Sequence, residues 1–197
     1  MIERNDNPDF VNSFLDYNIT ILNKSPNTVK EYNYDIANFL KYIKKQFNLS
    51  DEKDFKDISI NDLDIYTIKK ITLNDIHGYI SYMARELKST PATRARKISS
   101  LRVFFKYLTS KAKLLDFNPA QDLETPKLGR RMPKYLSLEE SKKLLDVTQD
   151  ENKRNSVRDY AIITLFLNCG MRLSELVGIN INDIDFDECK LNVIGKG

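Results

Sequence analysis

Hydrophobic positions recur every three or four residues through most of the first 110 residues, which is the period of amphipathic helices. Phe10, Phe14, Leu15, Ile19 and Leu22 make one such stripe after Asn7-Pro8. Ser25-Pro26 then reads as an N-cap followed by proline at the first helical position. Behind it, Val29, Tyr32, Ile36, Phe39, Leu40 and Ile43 form a second stripe. Thr72 opens a third helix, with Asp75 spaced for a capping box and Ile76, Ile80 and Met83 facing inward. Thr90-Pro91 repeats the cap-plus-proline signal for a fourth helix, whose stripe is Ile98, Leu101, Phe105 and Leu108. Between the second and third helices, NLSDEKDFKDISINDLDIYTIKK lacks a clean period and reads as a long Asp-rich connection with room for a turn or a small strand pair.

The pattern breaks at FNPAQDLETPKLGRRMPKYLS, which holds three prolines, a glycine and the cations Lys127, Arg130, Arg131 and Lys134; this is a basic linker. A second region starts at Ser137, where SLEE again looks like a cap with acids in the first turn. AIITLFL, inside a helix from about Ser156 to Asn168, is apolar enough to be central in its domain. A short helix follows over Ser174 to Val177, and DIDFDECKLNVIG reads as a turn into a strand carrying Leu191, Val193 and Ile194. That strand has no partner after it, the mark of an unfinished fold.

Composition narrows the class. The chain has 197 residues, 41% hydrophobic and 30% charged, an ordinary folded composition. It has no apolar run long enough for a membrane span and no apolar segment at its start, so a cytoplasmic protein is expected. Cys169 and Cys189 form no CxxC pair and are expected to be reduced core thiols. His77 is the one histidine, so no metal site built on His or Cys is expected, and no cofactor is expected either.

The net charge of +3 hides an uneven distribution. From Arg85 to Lys113, nine basic residues face Glu86 alone, for a local charge of +8; from Asp51 to Asp64, six acids face two lysines, for −4. A basic stripe of that density suits a polyanion, and it also suits a plain solvated helix face.

Two residues carry candidate chemistry. In FLNCGMRLSELVGI, Gly170 lets the chain leave an apolar helix, and Arg172 follows at the joint. Its guanidinium offers a planar fork suited to two phosphate oxygens, or to Glu175 one helical turn on; a Glu175 contact also positions the arginine for a phosphate. Lys196, between two glycines in GKG, is either a reaching proton donor or an ordinary turn lysine.

NCGMRLSELVGININDID followed by LNVIGKG resembles the first catalytic box of the tyrosine recombinases, the Xer-like and phage-integrase group. Upstream, SPNTVKEYNYDIANFLKYI and TPATRARKISSLRVFFKYL resemble the second and fourth helices of that family's SAM-like core-binding domain, and NPAQDLETPKLGRRMPKYLSLEE its interdomain linker. The resemblance runs through the chain in order, with the Asp-rich stretch 50–70 longer than in typical members.

It implies a mainly α fold: a four-to-five-helix SAM-like core-binding domain over 1–117, a basic linker over 118–136, and over 137–197 the first part of an α+β catalytic domain with a small β-sheet. It implies site-specific DNA recombination through a 3′-phosphotyrosyl intermediate, on double-stranded DNA, in a tetramer spanning two sites. Arg172 matches the arginine that stabilises charge on the phosphate, Lys196 the general acid for the leaving 5′-oxygen, and Glu175 the acidic support. DNA contacts are expected from Asn27, Thr28 and Lys30 on the second helix, from Arg96, Lys97, Arg102 and Lys106 on the fourth, and from Arg130 and Arg131 in the linker. The family's His-x-x-Arg box and nucleophilic tyrosine have no match here, so the chain is expected to be an inactive, monomeric, DNA-binding fragment. Two other readings stand beside it: a non-catalytic DNA-binding accessory protein and a helical protein-interaction module.

Overall fold

In a computed structural model of the chain, residues 6–129, 132–149, 154–193 and 195 are described. They form a mainly α protein with one small antiparallel sheet, as the resemblance implies. The chain divides into two compact units at residues 130 and 131.

The described residues of the first unit hold five helices: α1 (Asp9–Thr20), α2 (Pro26–Gln46), α3 (Ile65–Lys69), α4 (Leu73–Arg85) and α5 (Pro91–Ser110). Their starts follow the caps in the sequence. The Ser25 hydroxyl accepts from the Thr28 N–H, and the Thr90 hydroxyl from the Thr93 N–H. Thr72 and Asp75 close a reciprocal capping box, in which Asp75 accepts the Thr72 N–H at 2.8 Å. Each cap satisfies backbone donors that the first helical turn leaves without intrahelical partners.

The four longer helices bury their stripes against one another. Val29, Ile36, Phe39, Leu40 and Ile43 of α2 meet Ile98, Leu101, Phe104, Phe105 and Leu108 of α5, with Phe14 of α1 and Tyr79 of α4 closing the core. Aromatic rings lock these contacts: Phe14 meets Phe104 edge-on at 5.3 Å between centroids, and Phe39 meets Phe105 at 5.9 Å. Burial pushes the Tyr79 hydroxyl well above its usual range, with the Asp35 charge adding to the effect.

The Asp-rich connection contains no strand among its residues; it is a chain of turns ending in α3. Ile58, Ile60 and Leu63 are buried, which anchors the segment despite its charge. Lys44 of α2 fixes it from the other side. Its ammonium, almost wholly buried, donates to the Ser59 carbonyl at 2.9 Å and to both Asp62 oxygens at 2.7 and 2.8 Å. Those bonds hold the Asp62 carboxyl below the usual aspartate range.

The second unit holds α6 (Leu138–Thr148), α7 (Ser156–Cys169), α8 (Leu173–Val177), a single 3₁₀ turn (Ile181–Asp183) and a hairpin of β1 (Ile184–Asp185) and β2 (Lys190–Leu191). Ile184 pairs with Leu191 and Asp185 with Lys190. The sequence places a strand over Leu191, Val193 and Ile194; the observed strand stops at Leu191, its partner lies before it, and Ile194 lies outside the described residues. Among the described residues of this unit, Met171 is the one buried apolar side chain. The AIITLFL segment of α7 is therefore half-covered rather than central, and Cys169 and Cys189 are free and exposed rather than core thiols. The elements present cover too little of α7 to make an interior, and Cys189 lies in the turn between β1 and β2.

Candidate nucleic-acid interface and catalytic corner

The candidate catalytic corner lies in the second unit. Gly170 ends α7 with φ of 60°, the left-handed conformation that glycine adopts without strain. The chain turns there, and Arg172 becomes the N-cap residue of α8. One carboxylate of that helix holds the arginine twice. Glu175 Oε2 accepts the Arg172 backbone N–H at 2.8 Å, and Oε1 accepts from Arg172 Nη1 at 2.6 Å. The backbone bond, then the guanidinium bond, hold the Glu175 carboxyl below its usual range. The exposures are lopsided: the Arg172 side chain is 70% exposed and that of Glu175 12%. The carboxylate is thus a covered anchor, and the guanidinium keeps its other edge in solvent. A Cβ built on Gly195 would lie 3.5 Å from Glu175 Oε1, so the backbone after the hairpin passes over the same carboxylate. Lys196 lies outside the described residues.

The expected DNA contacts on α2 and α5 lie in the first unit and split into groups. Asn27 and Lys30 are exposed on the first turns of α2 and line an open groove of about 1060 Å³ whose far side is residues 56–60. The Thr28 hydroxyl is partnered by that of Ser25 at 2.9 Å, so it belongs to the cap. On α5, Lys106 is exposed. Arg102 is turned along its own unit, donating to the Thr125 hydroxyl at 2.8 Å and to the Leu123 carbonyl, and so ties the chain after α5 to the helix. Arg130 and Arg131 lie outside the described residues.

Lys97 departs from its expected place on an open basic face. Its side chain is 11% exposed, and its ammonium sits 2.8 Å from Asp35 Oδ1 and 4.8 Å from the centre of the Tyr34 ring. Asp35, on α2, is the residue that sequence reasoning missed. Its side chain is fully buried and accepts four hydrogen bonds. Arg96 Nη2 and Lys97 Nζ reach Oδ1, at 2.9 and 2.8 Å; Arg96 Nη1 and the Ser100 hydroxyl reach Oδ2, at 2.5 and 2.7 Å. Those four fill the lone-pair sites of a carboxylate. Arg96 alone of these partners stays in reach of solvent, with its side chain 44% exposed, and Nη1 lies 3.1 Å from the exposed Glu31.

Comparison with known proteins places this architecture. The model of the N-terminal SAM-like domain of phage integrases matches residues 10–112, more than half of the chain, and that of the phage integrase family matches residues 134–197. The chain therefore belongs to the phage integrase family, the tyrosine recombinases. It is 51% identical over 191 residues to tyrosine recombinase XerC of Caldanaerobacter subterraneus subsp. tengcongensis, covering 96% of this chain and 53% of that protein. It is 32% identical over 189 residues to tyrosine recombinase XerD of Listeria innocua, covering 96% of this chain and 57% of that one. Among solved structures, it is similar to XerA recombinase, at 26% identity and a TM-score of 0.41 over 95% of this chain and 55% of that one. The chain spans about half the length of the curated relatives it matches.

Proposed function

We propose that the complete protein is a site-specific DNA recombinase. It would cut and rejoin strands through a 3′-phosphotyrosyl intermediate, and this chain supplies its DNA-binding helices and the first part of its catalytic site. The observation that carries the reading is the Arg172–Glu175 pair: an exposed guanidinium at a helix start, held at its backbone and its side chain by one covered carboxylate. Held in this way, the arginine meets a phosphate without first being ordered, which is how a fixed cation stabilises charge that develops in a transition state. Lys196, next to the Gly195 backbone that passes over Glu175, is assigned as the proton donor to the leaving 5′-oxygen. The nucleophilic tyrosine belongs to the family's sequence beyond the part matched by this chain.

Duplex DNA is the partner, met by Asn27 and Lys30 of α2, by Arg96 and Lys106 of α5, and by Arg130 and Arg131 of the linker sequence. Residues 1–117 act as the core-binding domain, 118–136 as the linker and 137–197 within the catalytic domain. The working assembly is a tetramer on two sites, acting in the cytoplasm, and this chain alone is a monomer. Among the described residues no helix is long and apolar enough to cross a membrane.

Two experiments test the reading. Titration of this chain against a generic duplex of ~30 base pairs should give binding that weakens steeply with salt, because phosphate contacts release counterions. The full-length protein on a nicked site should form a covalent protein–DNA adduct. Salt-sensitive binding without any adduct would replace the recombinase by a non-catalytic DNA-binding protein.

A further inference from the structure

Glu31 and Asp35 lie one helical turn apart on α2 and reach the same arginine, yet their surroundings are opposite. The Asp35 side chain has no exposure and that of Glu31 has 59%. Asp35 takes both Arg96 Nη atoms in a two-point fork and is itself fixed by Lys97 and Ser100. Glu31 touches only Nη1, at 3.1 Å and at the solvent edge of the cluster. The formal charges cancel: two carboxylates against Arg96 and Lys97. These four groups together are neutral, although Arg96 and Lys97 belong to the Arg85–Lys113 segment whose own net charge is +8.

We propose that Glu31 stands in for a DNA phosphate on Arg96, and that on binding a backbone phosphate takes its place. The proposal rests on the reading of α2 and α5 as the DNA-facing helices. A carboxylate and a phosphate oxygen make the same charge-assisted bond to a guanidinium, so the exchange keeps Arg96 paired. Asp35 is the positioning residue: its bonds to Nη1 and Nη2 keep the guanidinium in place while the outer partner changes. The exposed Glu31 contact is weak enough to be displaced, as solvent-exposed ion pairs are. In the free protein Glu31 lowers affinity for any duplex by competing for Arg96, and it cancels a positive charge that would otherwise attract polyanions indiscriminately.

The exchange is tested on this chain with a duplex of ~30 base pairs at several salt concentrations, using Glu31→Gln, Arg96→Gln and the double variant. Glu86→Gln, which removes an exposed acid elsewhere in the unit, is the charge control, and thermal melts report that each variant folds. Glu31→Gln should tighten binding about 3- to 10-fold at low salt, with the gain shrinking as salt screens the pair it removed. Arg96→Gln should weaken binding, and adding Glu31→Gln to it should recover nothing. A gain of equal size in the Arg96→Gln background, or from Glu86→Gln, would mean simple repulsion between acids and DNA and would overturn the exchange. Should Arg96→Gln fail to fold, the comparison of Glu31→Gln with Glu86→Gln still decides. Failure of the unaltered chain to bind at the lowest salt would remove the DNA-facing reading itself; binding with no response to Glu31→Gln would remove the exchange alone.

Discussion

Arg96 and Asp35 are 61 positions apart in the chain and meet in a two-point fork, Nη1 to Oδ2 and Nη2 to Oδ1, that joins α5 to α2. The carboxylate end of that fork is buried and the guanidinium end half-exposed. One set of bonds therefore packs the bundle and also presents a cation. Such a buried charge is tolerable only because every lone pair is used, and it makes the cluster sensitive to the loss of any one member.

Asp35→Ala should accordingly destabilise the first unit by about 3–5 kcal/mol, since it leaves the largely buried Lys97 ammonium without its carboxylate. Replacing both groups, Asp35→Leu with Lys97→Met, should recover much of that loss, because an apolar pair needs no partners. Urea unfolding of the three proteins checks both statements. A loss under about 1 kcal/mol for Asp35→Ala would mean that Lys97 escapes to solvent at little cost.

Gly78 lies inside α4, where alanine would ordinarily be the better residue by about 0.5–1 kcal/mol. A Cβ there would meet the Tyr42 hydroxyl at 2.8 Å. The Tyr42 ring cannot swing away freely, because it packs against Tyr79 at 5.3 Å and Tyr82 at 5.4 Å. Gly78→Ala should therefore fail to stabilise the protein as it is, and should stabilise the Tyr42→Phe variant by about 0.5–1 kcal/mol. A double-mutant cycle of melting curves reads the coupling directly.

These relationships also mark where the sequence was legible. Ser25, Thr72, Thr90 and Ser137 announce their helices because a cap is a local matter, settled within four residues. The stripes of α2 and α5 were visible because 3.6-residue periodicity is also local. The Asp35 cluster was not, because Lys97 and Ser100 look like outward polar residues until α2 brings an acid opposite them. A trace of it was present: Asp35 interrupts an apolar stripe between Tyr32 and Ile36, and Lys97 adjoins Ile98. The corner at Arg172 was legible in part, since i to i+3 spacing predicts the Glu175 contact. The second bond, from the Arg172 backbone to Glu175, depends on a helix starting at Leu173, one residue before the sequence placed it. The exposure of Cys169 was not legible, because burial depends on what covers α7; that of Cys189 follows from its place in the turn between β1 and β2.

Arg172→Ala and Glu175→Gln should differ in kind when made in the full-length protein. The first removes the cation proposed to meet the phosphate, and adduct formation should fall by about 10²-fold or more, the usual loss for one fixed charge-stabilising donor. The second leaves the cation but frees it, so the adduct should form more slowly while DNA binding is retained. Single-turnover rates on a nicked duplex separate the two. Equal and complete loss in both would mean that Glu175 does more than hold the arginine.

The Lys44–Asp62 pair ties the Asp-rich connection to α2, and its pH dependence has a definite sign. Lys44 hydrogen bonds lower the Asp62 pKa in the folded chain from the ordinary value of 3.8. The stabilisation is therefore present above that value and is lost as pH falls through the depressed one. Asp62→Asn removes the ionised partner, so the variant should melt below the parent at pH 7 and by the same margin at pH 5. Because the Asp62 side chain is 61% exposed, that margin should be about 1 kcal/mol or less. As pH falls below 3.8 toward the depressed folded-state value, the charge contribution is lost and the two melting curves should converge. A gap that stayed constant through that fall would show that Asp62 acts there through its shape and hydrogen bonds rather than its charge.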